Sequence, residues 1–71
     1  MHVATITAFA NKYGTFSGII RDERTKEKII ERFETFDEAR NFVKTKAWEM
    51  FGPGKFAGIP RKGEYLANYW I

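Results

Sequence analysis

At 71 residues the chain has room for one domain, and at that size only about 60% of the unfolded surface becomes buried, so large side chains must be well used. Seven Phe, three Tyr and two Trp supply them, while the absence of Cys excludes a disulfide framework and a thiolate metal site. The formal charge of +3 is unevenly laid out: residues 22–38 hold seven acids against four bases (net −3), and residues 39–62 hold six bases against Glu49 alone (net +5), a field able to steer a charged partner to one side.

Residues 2–10 (HVATITAFA) are rich in β-branched and small residues and read as a strand. Thr5 and Thr7 interrupt this short apolar run and no basic segment precedes it, so it is not expected to be a signal peptide. No apolar stretch reaches the ~20 residues a membrane helix needs, so the chain reads as cytoplasmic and without a membrane partner. Asn11 and Gly14 are placed for the positive φ values of a short hairpin connection. Residues 15–21 (TFSGIIR) read as a second strand, in which Gly18 marks a bulge or a close approach of another backbone. Residues 22–26 form a polar turn. Residues 28–34 (KIIERFE) read as a third strand, with Ile29, Glu31 and Phe33 on one face and Ile30, Arg32 and Glu34 on the other.

Thr35-Phe36-Asp37-Glu38 fits a capping box and opens a helix over residues 36–51. Phe36, Ala39, Phe42, Val43, Ala47 and Met50 recur at three- and four-residue steps as its apolar stripe, and Gly52-Pro53-Gly54 ends it. Residues 55–63 (KFAGIPRKG) contain too many breakers for a regular element. Residues 64–71 (EYLANYWI) close the chain as a strand with apolar groups on both faces, expected at a sheet edge or against a partner. The fold class is therefore α+β: a three- or four-stranded antiparallel sheet packed on one helix, in the order β-β-β-α-β.

The common catalytic sets are missing. His2 is the only imidazole and Ser17 the only serine, with no base near it in sequence. Gly52-Pro53-Gly54-Lys55 lacks the spacing and the Ser or Thr of a phosphate-binding loop, since Phe56 follows the lysine. Adjacent acids such as Asp22/Glu23 and Asp37/Glu38 are explained by a turn and a helix start. No enzyme, metal or cofactor is expected.

Binding chemistry is present instead. On the helix wheel Trp48 stands about 180° from Ala39 and in line with Arg40 and Lys44. With Lys55, Arg61 and Lys62 of the following loop, these residues are expected to form one basic, aromatic surface for nucleic acid or a nucleoprotein. The alternative is a protein-interaction module, such as a homodimer or a phage-type accessory or inhibitor protein. It would act through Tyr65, Tyr69 and Trp70 of the last strand and the acidic residues 22–38.

The stretch 15–48, three short strands followed by a helix opened by Thr35-Phe36-Asp37-Glu38-Ala39, resembles recurrent DNA-binding modules. The arm-binding domain of phage tyrosine recombinases and the plant ethylene-response type of DNA-binding domain look like this. The RNase H hybrid-binding domain is similar around Arg32-Phe33-Glu34-Thr35-Phe36-Asp37-Glu38-Ala39. In the first two families the resemblance implies that strands one to three lie in the major groove of DNA while the helix braces them from behind, which would bring Lys12, Arg21 and Arg32 near it. Two features depart from that pattern: Asp22, Glu23, Glu31 and Glu34 make the strand region acid-rich, and some twenty residues follow the helix.

Overall fold

A computed structural model describes residues 1–71. Five strands, β1 (His2–Ala10), β2 (Phe16–Asp22), β3 (Lys28–Phe33), β4 (Lys55–Ile59) and β5 (Glu64–Trp70), and one helix, α1 (Phe36–Phe51), follow one another as β-β-β-α-β-β. The strands form one sheet in the order β3-β2-β1-β5-β4, antiparallel at every pairing. No helix is long and apolar enough to cross a membrane.

Both early turns are made by side chains. Asn11 uses its amide: its Oδ1 accepts from the backbone N–H groups of Tyr13 (2.9 Å) and Thr15 (3.2 Å), and Gly14 alone takes the positive φ (82°). Asp22 does the same after β2, accepting from the N–H groups of Arg24 (2.8 Å) and Thr25 (3.4 Å). Those backbone donors, first among them that of Arg24, hold the Asp22 carboxyl below its usual range. The helix begins at the expected cap: the Thr35 hydroxyl accepts from the Glu38 N–H (3.2 Å) and donates to the Glu38 carboxylate (3.0 Å), which thus reaches back to the hydroxyl rather than to the Thr35 backbone N–H of a full capping box.

The helix lies over β1, β2 and β3 and buries Ala39, Val43 and Ala47 against them. Gly18 answers that approach: a β-carbon there would stand 3.0 Å from Val43 Cγ1 and 3.2 Å from the Ala39 carbonyl. Phe42 is half-buried beside Phe33, with ring centroids 5.1 Å apart. Met50, expected in the apolar stripe, is exposed; in the last turn Phe51 packs on the core instead, 6.3 Å from the Tyr69 ring.

Two expectations for the C-terminal part are corrected. Residues 55–59 form a strand, giving the sheet a fifth member. Gly58, read as a breaker, keeps its backbone N–H and is accommodated in the ladder with β5, and Pro60 falls just past the strand's end. Phe56 also anchors the strand, its ring 4.7 Å from that of Tyr69. The closing strand is not at an edge. It pairs with β1 on one side and β4 on the other; Ala67 and Tyr69 join the core on the helix side, and Leu66 and Trp70 stand on the other face.

Gly54 and Gly58, four residues apart in chain and both adjoining β5, give opposite expectations. A β-carbon at Gly54 would overlap the Trp70 carbonyl and stand 2.8 Å from Ile71 Cγ2, whereas at Gly58 nothing lies within 4 Å. Gly54→Ala should lower stability by about 1–3 kcal/mol or more, and Gly58→Ala should be neutral or stabilise by up to about 1 kcal/mol. Thermal melts of the two variants decide it. Equal midpoints would show that the β4–β5 approach is looser than described.

Candidate functional site

Antiparallel register sorts the strand residues onto two faces. Ala4, Ile6, Ala8, Gly18, Ile20, Ile29, Phe33, Phe56, Ala67 and Tyr69 share the face that meets the helix. Nothing covers the opposite face. Its middle row, read across the strands, is Ile30, Ile19, Thr7, Leu66 and Ile59, an apolar belt from one edge to the other. Ile30 is 61% exposed and Ile59 also stands in solvent. On one side of the belt runs the row Lys28, Arg21, Thr5, Asn68 and Ala57, followed by His2, Trp70 and Lys55. On the other side stand Arg32, Ser17, Phe9 and Glu64.

Two acids that reach this face, Glu23 and Glu64, are matched, while Glu34, just past β3 on the Arg32 side of its alternation, is in no ion pair. Glu23 accepts from the Thr5 hydroxyl (2.6 Å), Arg21 Nε (2.9 Å) and Lys26 Nζ (2.9 Å). Together they hold its carboxyl down at about 2, the Thr5 hydrogen bond contributing most. Glu64 faces Arg61 at 3.6 Å. Lys28, Arg32 and Lys55 have no carboxylate in ion-pair range.

Aromatic rings mark both ends of the face. Trp70, 44% exposed, leans on His2 with ring centroids 5.1 Å apart. In the β1–β2 turn Tyr13 is 64% exposed, with the Arg32 guanidinium 5.0 Å and the Lys12 ammonium 5.4 Å from its ring centre.

The residues expected to form one surface are divided between two. Arg40, Lys44 and Trp48 remain together along the flank of α1 that overlooks β4 and β5. There Lys44 sits 5.3 Å from the Phe56 ring and 5.9 Å from the Tyr65 ring. A shallow groove of ≈ 350 Å³ between Lys44, Trp48 and Phe56 runs along this flank, and Trp48 is 48% exposed. Arg40 is engaged by Asp37 (3.3 Å) and lies 5.9 Å from the Phe36 ring, and Glu49 lines the same groove. Lys44 therefore supplies the flank's one cation without a carboxylate in ion-pair range.

Lys55 alternates with Phe56 and so belongs to the opposite, bare face beside Trp70. Arg61 and Lys62 occupy the β4–β5 turn, where Arg61 faces Glu64. Of the alternative set, Tyr69 is fully buried and its hydroxyl is raised by that burial, so it meets no partner. Tyr65 is half-buried on the helix side, its hydroxyl raised by burial against the opposing pull of Arg40. Trp70 is the one member that reaches solvent on the bare face.

Sequence reasoning did not single out Lys28, Ile19, Ile30, Leu66 or Ile59. The alternation of residues 28–33 was the available signal, because it already places Lys28, Ile30 and Arg32 on one side.

Glu23 gives a pH test. Its folded value of about 2 lies below the ordinary 4.5, so its contribution to stability is complete above 4.5 and is lost as pH falls from there toward 2. Melting temperature followed across that interval should fall less steeply for Glu23→Gln than for the parent chain. Identical acid-side slopes would remove Glu23 from the account. No family model, curated protein or solved structure matches the chain.

Proposed function

We propose that this chain is a non-catalytic module that binds nucleic acid through the bare face of its sheet. The observation that carries the reading is the charge on that face. Lys12, Arg21, Lys28, Arg32 and Lys55 gather on or beside it, against Glu23 and Glu64, each taken up by neighbouring cations, and Glu34. Phosphates are polyanionic and bind such surfaces by releasing counterions. The modules that residues 15–48 resemble suggest the same use of the strands. The acid-rich departure from them is reduced to Glu34, because Glu31 shares the helix side with Gly18, and Asp22 and Glu23 are engaged locally.

The apolar belt supports a second reading, a protein partner docked on the same face. Salt separates the two. Binding of a labelled oligonucleotide should weaken steeply as salt rises, whereas an apolar protein interface responds little. Replacing Lys28, Arg32 and Lys55 together with Gln should weaken oligonucleotide binding and reduce the salt slope by about 2, at roughly 0.7–0.9 per lost phosphate contact. Thermal stability should stay close to the parent value, since these side chains hold no carboxylate. If Lys44→Ala weakens binding instead and the triple variant does not, the contact surface is the helix flank. If the parent chain binds no oligonucleotide, the nucleic-acid reading fails.

A further inference from the structure

We infer that the nucleic acid taken by this face is an unpaired strand, its bases laid over the sheet and its phosphates held at the margins. The inference rests on the nucleic-acid reading above and narrows it. Three features of the face point the same way.

The first is width. Five paired strands set the outer strand axes about 19 Å apart, at four spacings of about 4.8 Å. The major groove of a duplex is about 12 Å wide, so it admits a helix or a narrow ribbon and not this sheet lying flat. Against a duplex, only the outer phosphates would be in reach.

The second is the distribution of polarity. A duplex presents charged phosphates wherever it meets a flat surface, and here they would fall on Ile19, Ile30, Leu66 and Ile59. Burying phosphates against that belt without partners is unfavourable. An unpaired strand offers the complementary layout. Its bases have apolar planar faces for the belt, and its backbone can run past cations at the periphery. Lys28 and Arg32 lie on one edge strand and Lys55 on the other, with Lys12 at the first turn. Thr7 and Asn68 add neutral hydrogen-bonding groups in the middle of the face.

The third is the pair of accessible rings. Trp70, backed by His2, and Tyr13, flanked by Arg32 and Lys12, stand at opposite ends of β1. That strand spans nine residues, about 27 Å end to end. Aromatic side chains on a basic surface are the usual stacking stations for single strands, and the distance between them suits a site of about four nucleotides or more. Arg32 can add a guanidinium plane to the Tyr13 station.

The experiment is fluorescence anisotropy at one fixed salt concentration with three labelled probes of equal length: oligothymidylate, oligouridylate and a blunt DNA duplex. At least one unpaired probe should bind tenfold or more tightly than the duplex. The two unpaired arms distinguish DNA from RNA. Trp70→Leu and Tyr13→Ala should each weaken the unpaired probe by roughly five- to a hundredfold. Trp70→Phe, which keeps a ring, should retain most of the affinity, and Trp48→Ala on the helix flank should leave it unchanged. Melting curves of each variant confirm that it is folded. Duplex bound as tightly as the unpaired probes, or full affinity in folded Trp70→Leu and Tyr13→Ala, overturns the inference and leaves the nucleic-acid reading standing. Failure of all three probes to bind overturns that reading itself.

Discussion

The Tyr69 hydroxyl donates to the Gly52 carbonyl at the point where the helix stops and the chain turns into β4. Tyr69 is the largest fully buried side chain and belongs to β5, so this bond joins the helix end to the sheet centre. Phe51 and Phe56, from the last helical turn and the next strand, both pack on its ring. Gly54 passes so close beneath the Trp70 carbonyl that no β-carbon fits. The helix has to carry the chain from the β3 edge to the β4 edge, and this cluster fixes where it lands. A helix of 16 residues is about 24 Å long and 10–12 Å across. It covers β1, β2 and β3 on one face, while aromatic side chains of β4 and β5 fill the remainder of that side. No second element exists to cover the other face, so the bare surface follows directly from having one helix for five strands.

The same geometry redistributes charge. Residues 22–38 carry a net −3, which on its own argues against a polyanionic partner. Alternation along β3 sends Lys28 and Arg32 to the bare face and Glu31 to the helix side. Asp22 is spent on the turn that follows β2, and Glu23 is buried in contacts with Thr5, Arg21 and Lys26. Asp37 and Glu38 stay at the helix start, where the dipole favours them. A segment that is acidic in sum thus presents its bases to one side and uses most of its acids elsewhere. Net charge by segment measured the wrong quantity; charge by face is what a partner meets.

That difference explains which features were legible beforehand. The helix, its capping box and the first three strands follow from local rules, because capping, turn chemistry and period-two patterning all act within a few residues. The surface Arg40–Lys44–Trp48 was found for the same reason, being one line along one helix. What failed was non-local. Residues 55–59 contain Gly58 and abut Pro60, and only their pairing with β5 makes them a strand. Once they are a strand, Lys55 and Phe56 must point to opposite faces, which removes Lys55 from the helix-flank surface. β5 was placed at an edge because its second neighbour was not recognised. Its double-sided apolar pattern is that of an interior strand whose Ala67 and Tyr69 line the core and whose Leu66 forms part of the belt.

The belt itself raises the question of why two copies should not simply stack on it. Ile30, Ile19, Leu66 and Ile59 are the kind of exposed apolar row that elsewhere marks an interface. Stacking two bare faces would set the cations Lys28, Arg32 and Lys55 of one copy near cations of the other, with Glu34 the acid of that face outside any ion pair. Desolvating like charges against each other costs several kcal/mol, more than a belt of four half-exposed aliphatic side chains returns after side-chain ordering. The edges are similarly protected: β3 presents alternating Lys, Glu and Arg, and β4 is only five residues long and is followed by Pro60. Like charges thus oppose such self-stacking, and the same cations and belt would suit the proposed anion with apolar planes of its own. An aliphatic or neutral partner would satisfy the belt and strand the cations, and a bare polyanion would satisfy the cations and leave the belt wet. The proposed unpaired strand, which alternates negative charge with flat apolar groups along its length, would meet both demands.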